Sequence, residues 1–315
     1  MHYSDLAGEG FWQREMIDAH DATARATGAR IVLGGGVDSI PSDLGAAMAL
    51  KALSPAAGAP VSVRGVYTEY TGSFSGGTLN SGRAKVQAMK EGRLTAERDA
   101  DPYLLGPELG DGFAGPDTAS GTPSGMPKGW KRSGCSDGYA LLMDFFMAPI
   151  NARVVRRSLA LQGVAATTSY TECCSAAMWG RAVCVWLSRG FGYFVGDPIN
   201  FKPKSGEGPP SWLLECGTFC VNVTATDETG SVATAVVRGK GDPGYGATSK
   251  MLAETGLSLA FDDLSAAPAE GKAGGVLTPS TALGEVLITR LRAAVGGTFM
   301  SLEVSGGAMA DKKSA

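Results

Sequence analysis

The chain has 315 residues, of which 44% are hydrophobic and 19% charged; it can bury a sizeable core and is neither disordered nor fibrous. Twenty-eight basic residues against 31 acidic ones leave a net charge of −3, so the electrostatic footprint of a nucleic-acid partner is absent. One large or two moderate domains follow from the length.

Residues 2–9 read as the end of a strand leading into a helix. Trp12, Met16, Ala19, Thr23 and Ala26 recur at helical spacing, and Gly28 is placed to cap that helix before a short strand at 31–33. The stretch GGGVDSIPSDLG at 34–45 then joins the strand to a second helix, on which Leu44, Ala47, Met48 and Ala52 share a face. Three glycines at such a junction let the backbone bend sharply and come close to something flat. Pro41, between Ser39 and Ser42, fits a helix start, where the missing N–H costs nothing and a hydroxyl can cap. A strand-to-helix turn at the end of a sheet is where open α/β folds place ligands, so this loop is the expected wall of a site.

Two motifs in this half are decoys. Residues 34–39 imitate a dinucleotide fingerprint, but Asp38 puts negative charge where a pyrophosphate would sit, and no acidic residue follows at the ~20-residue offset of a ribose partner. Asp38 and Asp43 are read as residues favourable to a helix N-terminus or as groups facing a substrate. Residues 77–84 copy the spacing of a phosphate-binding P-loop, yet Arg83 replaces its lysine and Ala84 its hydroxyl.

Further along, the alternation of VSVRGVYTEY at 61–70 predicts a strand, and 79–91 a helix. Residues 92–135, rich in Gly, Pro, Ser and Asp, predict a long loop. A helix carrying Arg153, Arg156 and Arg157 follows, with those arginines expected on a solvated face. The most hydrophobic stretch, 176–195, is too interrupted by Arg181 and Arg189 to span a bilayer. It reads either as a core helix or as a surface segment dipping Trp179, Trp186, Phe191, Tyr193 and Phe194 into lipid. Residues 218–238 predict a β-hairpin turning at Asp227, Glu228, Thr229 and Gly230, 247–255 a helix, 265–275 a loop, 278–294 a helix and 298–304 a closing strand. The six cysteines form no CxxC pairs, so reduced structural thiols and no metal site are expected. An intracellular setting is expected from the absence of a secretory leader pattern.

Seven segments in this order, YSDLAGE at 3–9, GGGVDSIPSDLG at 34–45, SGGT at 75–78, APINARVVRRS at 148–158, GEGPP at 206–210, GDPGYGATSKMLAE at 241–254 and VLTPSTALGEVLITRLR at 276–292, resemble the saccharopine dehydrogenase-like oxidoreductases, the group that includes the trans-acting enoyl reductases. The chain departs from that pattern at Val37, where the family usually has Phe. The resemblance implies an α/β protein: part of a Rossmann-type dinucleotide-binding domain at 1–58, a mixed-sheet substrate domain at 59–304 and a tail at 305–315. It implies an NADP- or NAD-dependent reductase acting on a lipid-like or polyketide-like substrate. The family's phosphate-binding GxxGxxG precedes the segment matched by YSDLAGE, so the chain is expected to lack its own pyrophosphate cradle.

By the same resemblance Tyr3 and Asp38 are the proton-donor candidates. Asp5, Glu9, Gly35, Gly36, Ser39 and Pro41 would lie on the cofactor, and Asp43, Ser75, Gly76, Gly77 and Thr78 on the substrate. A peripheral place on a membrane or lipid droplet and a homodimer are further expectations. The alternative is a non-catalytic, lipid-associated protein derived from such an enzyme; a saccharopine-type amino acid dehydrogenase is a third reading.

Overall fold

The computed structural model describes residues 1–72, 76–110, 113–118, 141–178, 180, 208, 209 and 211–306. Nine strands and ten α-helices are numbered in chain order among them: β1 (Tyr3–Ser4), α1 (Gly10–Thr27), β2 (Arg30–Val32), α2 (Ile40–Leu53), β3 (Val61–Thr71), α3 (Gly76–Lys90), α4 (Ala96–Ala100), β4 (Leu142–Met143), α5 (Ala148–Leu161), β5 (Thr168–Ser175), α6 (Ser211–Cys216), β6 (Thr218–Asp227), β7 (Val232–Lys240), α7 (Gly246–Phe261), α8 (Ala269–Ala273), β8 (Gly275–Leu277), α9 (Pro279–Ala282), α10 (Glu285–Gly297) and β9 (Met300–Gly306). They make two sheets. One is parallel, in the order β1-β2-β8, and the other is mixed, in the order β4-β5-β3-β6-β7-β9. The expected α/β architecture, with a parallel and a mixed sheet, is what the chain adopts.

The mixed sheet is built on β3, which pairs in parallel with β5 and antiparallel with β6. Its length and alternation were legible, and so was the β6–β7 hairpin, which turns at Gly230 with a positive φ of 83°. The second helix, α2, lies against this sheet and is buried around most of its circumference, which is why its sequence shows no sharp polar stripe. Val223, Ala225, Ala235 and Val237 from the sheet join Leu44, Ala46, Met48 and Ala49 from α2 in the main core. On α1 the buried residues are Phe11, Gln13, Ile17 and Ala24, with Trp12 and Met16 only partly covered, so the face is rotated from the one the spacing suggested. Gly28 does cap it, in the left-handed region.

Three expectations are corrected. The arginines of α5 are buried, at 7%, 1% and 3% exposure for Arg153, Arg156 and Arg157. They fasten the segment before α5 to the fold: Arg153 donates to the carbonyls of Asp99 and Asp101, Arg157 to that of Leu105, and Arg156 pairs with Asp117 at 2.7 Å while donating to the Tyr170 carbonyl. Guanidinium groups can be buried this way because backbone carbonyls and a carboxylate fill their donor positions. Second, 265–275 is not a plain loop, since it holds α8 and begins β8, the third strand of the parallel sheet. Third, the helix expected at 278–294 is broken. Thr278 and Thr281 form a capping box that starts α9, and Gly284, at a φ of 52°, separates it from α10.

The described cysteines, Cys173, Cys174, Cys216 and Cys220, are free thiols. Among the described residues no helix is long and apolar enough to cross a membrane, and most of 176–195 lies outside them.

Candidate functional site

Because β1, β2 and β8 are parallel, their carboxyl ends share one edge, and residues 5–9, 33–39 and 278 all leave from it. That edge is where an open α/β sheet presents side chains to a ligand. The glycine corner at its centre, however, faces inward. A Cβ on Gly36 would stand 2.8 Å from Thr248 Cγ2, and one on Gly35 would stand 2.9 Å from the Asp5 carbonyl oxygen. The Gly35 N–H already donates to that carbonyl at 2.6 Å, and the Val37 N–H to Thr248 Oγ1 at 3.0 Å. These glycines exist so that the loop can press against α7 and the residue after β1. Gly35 and Gly36, expected on the cofactor, are both buried in protein.

The neighbours of the corner divide sharply. Ser39 occupies the helix N-cap position without capping, since its hydroxyl turns back to the Asp38 carbonyl, and Pro41 is buried in the first turn. Asp43, expected on the substrate, is 1% exposed, and its carboxylate accepts from Ser158 Oγ, the Ser280 N–H at 2.7 Å and Ser280 Oγ at 2.8 Å. Burial pushes it up to about 6 against the pull of those hydrogen bonds. It ties α2, α5 and α9 together and does not reach the open edge.

Asp38 is the opposite case. Its side chain is half-buried, and among the described residues its carboxylate has no hydrogen-bond or ion-pair partner. Desolvation, with the Glu9 charge second, pushes it up to about 6. It lies behind Gly8, where an added Cβ would come within 3.7 Å of Oδ2 and 3.5 Å of Ile150 at the start of α5. Tyr70, at the far end of β3, has its phenol held well above the usual value by desolvation first and the Asp38 charge second.

Tyr70 was missed as a candidate, and the reason is local. In a regular strand Tyr67 and Tyr70, three apart, point to opposite faces. A register shift against β6 between Tyr67 and Glu69 brings them together, with ring centroids 6.0 Å apart and edge-on. Phe145 stacks on Tyr67 at 4.2 Å and meets Tyr70 edge-on at 5.3 Å, which fixes both rings.

Tyr3 does not join them. It is 49% exposed on β1, and its hydroxyl donates to Asp5 Oδ2 at 3.0 Å. Asp5 also accepts from the Ala7 N–H at 3.1 Å, so it shapes the turn after β1, and desolvation raises it. Glu9, at the N-cap of α1, lines a groove of about 430 Å³ between residues 7–12 and α3, whose other walls include Ala7, Phe11, Trp12 and Ala84. Of the expected substrate loop, Gly76 is buried at the start of α3, Gly77 and Thr78 are exposed on its first turn, and Ser75 lies outside the described residues.

No protein-family model matches the chain. It is 33% identical over 313 residues to a Mycobacterium tuberculosis protein provisionally named a trans-acting enoyl reductase, a match covering 93% of this chain and 72% of that protein. It is 32% identical to the trans-acting enoyl reductase of Mycobacterium leprae, over 95% of this chain and 74% of the relative. The Mycobacterium ulcerans trans-acting enoyl reductase is 31% identical, over 92% and 71%. With identity at this level sustained along nearly its whole length, the chain belongs to the trans-acting enoyl reductase family.

Proposed function

We propose that the chain is an oxidoreductase that saturates the activated carbon–carbon double bond of an enoyl substrate, using NADPH or NADH as the hydride source. The observation that carries this reading is the Asp38 carboxyl, which has no hydrogen-bond or ion-pair partner among the described residues and follows the carboxyl end of the parallel strand β2, in a member of an enoyl reductase family. Reducing such a bond needs hydride at one carbon and a proton at its neighbour. The nicotinamide supplies the hydride when bound. Its diphosphate does not fit the glycine corner, which is filled by Thr248 and the Asp5 backbone and flanked by Asp38 and Asp43. The described residues bear on the proton half of the chemistry.

In that half Asp38 is the acid. A carboxyl held at about 6 is protonated in a useful fraction of molecules near neutral pH and gives up its proton readily. Tyr70 keeps its proton throughout and donates a hydrogen bond to the carbonyl oxygen on which negative charge develops. The groove beside Glu9, with Phe11, Trp12, Ala7 and Ala84 on its apolar wall and Gln87, Glu91 and Arg93 along its polar side, takes the acyl part of the substrate, for which a lipid-like or polyketide-like chain is the class. The parallel sheet, completed by β8 from late in the chain, forms the cofactor side and the mixed sheet the substrate side.

The test is reduction of an enoyl thioester by the chain with NADPH or NADH in deuterated solvent, read by mass spectrometry. The expected product is the saturated acyl group with one solvent-derived deuterium, lost in Asp38→Asn. Neither nucleotide being consumed in the presence of several enoyl chain lengths would overturn the reading.

A further inference from the structure

The two walls of the groove beside Glu9 are held very differently. Residues 7–12 are fastened to the fold: Gln13 Nε2 donates to the Ala7 carbonyl at 2.6 Å, Arg14 donates to the Leu104 carbonyl at 3.1 Å, and Ile17 enters a core cluster with Leu33 and Val276. The facing wall is α3, with Ala84 and Gln87, and the turn after it, with Glu91 and Arg93. Among the described residues of α3 all but Gly76, Ser81 and Ala88 are exposed, Val86 and Met89 included, and no described strand or helix packs along it. What seats α3 is the knot at its carboxyl end. Gly92, at a φ of 72°, lets the Arg93 and Leu94 N–H groups both donate to the Ala88 carbonyl, at 2.9 and 3.2 Å, so these residues move as one. All three land on Phe11. Ala88 and Leu94 form a small buried cluster with it, and the Arg93 guanidinium lies 5.4 Å over its ring while gripping Glu15 at 2.6 and 3.1 Å. Lys85 adds an ion pair to Asp99 at 2.8 Å. Pairs as open to solvent as these two hold a helix only weakly.

We infer that α3 is a lid on the acyl groove, which lifts with its Ala88–Leu94 knot off Phe11 to admit an acyl chain and settles over the chain once it is in. The inference rests on the groove taking the acyl part of the substrate, as proposed above. Elements with few buried apolar contacts and solvent-exposed ties open locally at a small fraction of the cost of global unfolding, and lids are drawn from them. Lifting α3 uncovers one ring, Phe11, and breaks ion pairs that are already wet, whereas lifting the opposite wall would tear α1 from β8. An acyl chain lying between Phe11, Trp12 and Ala84 keeps the ring covered, so a bound chain favours the closed form. Arg93 is the latch, because it belongs to the lid and reaches across to Glu15 on α1. If a chain enters only through the open form, its association rate scales with the fraction of molecules in which that latch is undone.

The experiment mixes the full chain with a dibrominated stearate, whose bromines quench an indole they touch, and follows Trp12 fluorescence in stopped flow, with Trp12→Phe identifying that signal. Arg93→Glu sets a carboxylate against Glu15 and should raise the association rate by about fivefold, the reach of one exposed pair turned from attraction to repulsion. The charge swap, Glu15→Arg with Arg93→Glu, should return the rate to that of the unmutated chain. Backbone amides of residues 84–91 should exchange with deuterated solvent faster in the single variant and revert in the swap. Should Arg93→Glu not fold, Glu15→Gln withdraws the same pair from the α1 side and should speed entry by about twofold. An association rate that the reversal leaves unchanged or lowers, or that the swap does not restore, would overturn the lid, while the quenching itself would uphold the groove. Stearate that quenches Trp12 in no variant would overturn the acyl role of the groove, and the lid with it. Nothing is reduced in this assay, so neither result depends on the enoyl chemistry.

Discussion

Asp38 and Asp43 sit five residues apart at the start of one helix, and both are pushed up to about 6, yet their surroundings differ completely. Three donors from two other helices converge on Asp43, while the Asp38 carboxylate has none among the described residues. A raised pKa therefore does not by itself separate a site residue from a structural one. Whether the carboxylate's hydrogen-bonding capacity is already used does, because a saturated group has nothing left to offer a ligand.

Exchanging the two aspartates should break that contrast most plainly. Asp38→Asn should lower enoyl reduction by about 10²-fold or more, the usual reach of a general acid, with the melting temperature at pH 5 little changed. Asp43→Ala should do the reverse and destabilise the chain by about 3 kcal/mol or more in denaturant unfolding, since it strands the Ser158 and Ser280 donors inside the protein. If Asp43→Ala instead melted normally and lost activity, the assignment of roles would be inverted.

The pH dependence of stability sharpens the same comparison. Asp38, Asp43 and Glu172 all titrate in the fold above the ordinary carboxylate range, so folding favours their neutral forms. Their stabilising contribution is complete below about pH 4 and is lost as the pH rises through 6 to 7. The chain should be more stable at pH 5 than at pH 8, and Glu172→Gln should recover roughly 2–3 kcal/mol at pH 8 and nothing at pH 4. Chemical unfolding at the two pH values measures both.

A smaller effect tests the glycine corner. Gly36→Ala drives a methyl group into Thr248 Cγ2 and should cost about 1–3 kcal/mol. Thr248→Ser removes that methyl and keeps the hydroxyl bonded to the Val37 N–H, so the double variant should regain much of the loss. Recovery of stability would confirm that packing, and not a ligand, requires the glycine. Least of all should Tyr3→Phe matter: less than about 0.5 kcal/mol of stability, as expected for an exposed residue, and less than a twofold change in rate.

Much of the framework was readable because periodicity is local. The strand at 61–70, the hairpin at 218–238 and the glycine cap at Gly28 each announce themselves within about a dozen residues. The proposed site was only half readable. Asp38 stood out because it spoils a nucleotide motif, while the packing partner of the motif's glycines was out of local reach, since Thr248 lies 212 positions downstream of Gly36. Tyr70 depends on a strand irregularity, and a one-residue slip leaves no trace in composition. The arginines of α5 resembled a wet face because the carbonyls that receive them come from a distant irregular segment.

The parallel sheet has a consequence for synthesis. Its middle strand, β2, pairs on one side with β1 and on the other with β8, some 245 residues further along. A ribosome elongating at about 5–20 residues per second leaves that flank of β2 unclaimed for roughly 10–50 seconds. During that interval Ile31 and Val32 offer a bare apolar ribbon to neighbouring nascent chains, which makes this protein a candidate client of a ribosome-bound holdase and its expression yield sensitive to translation speed.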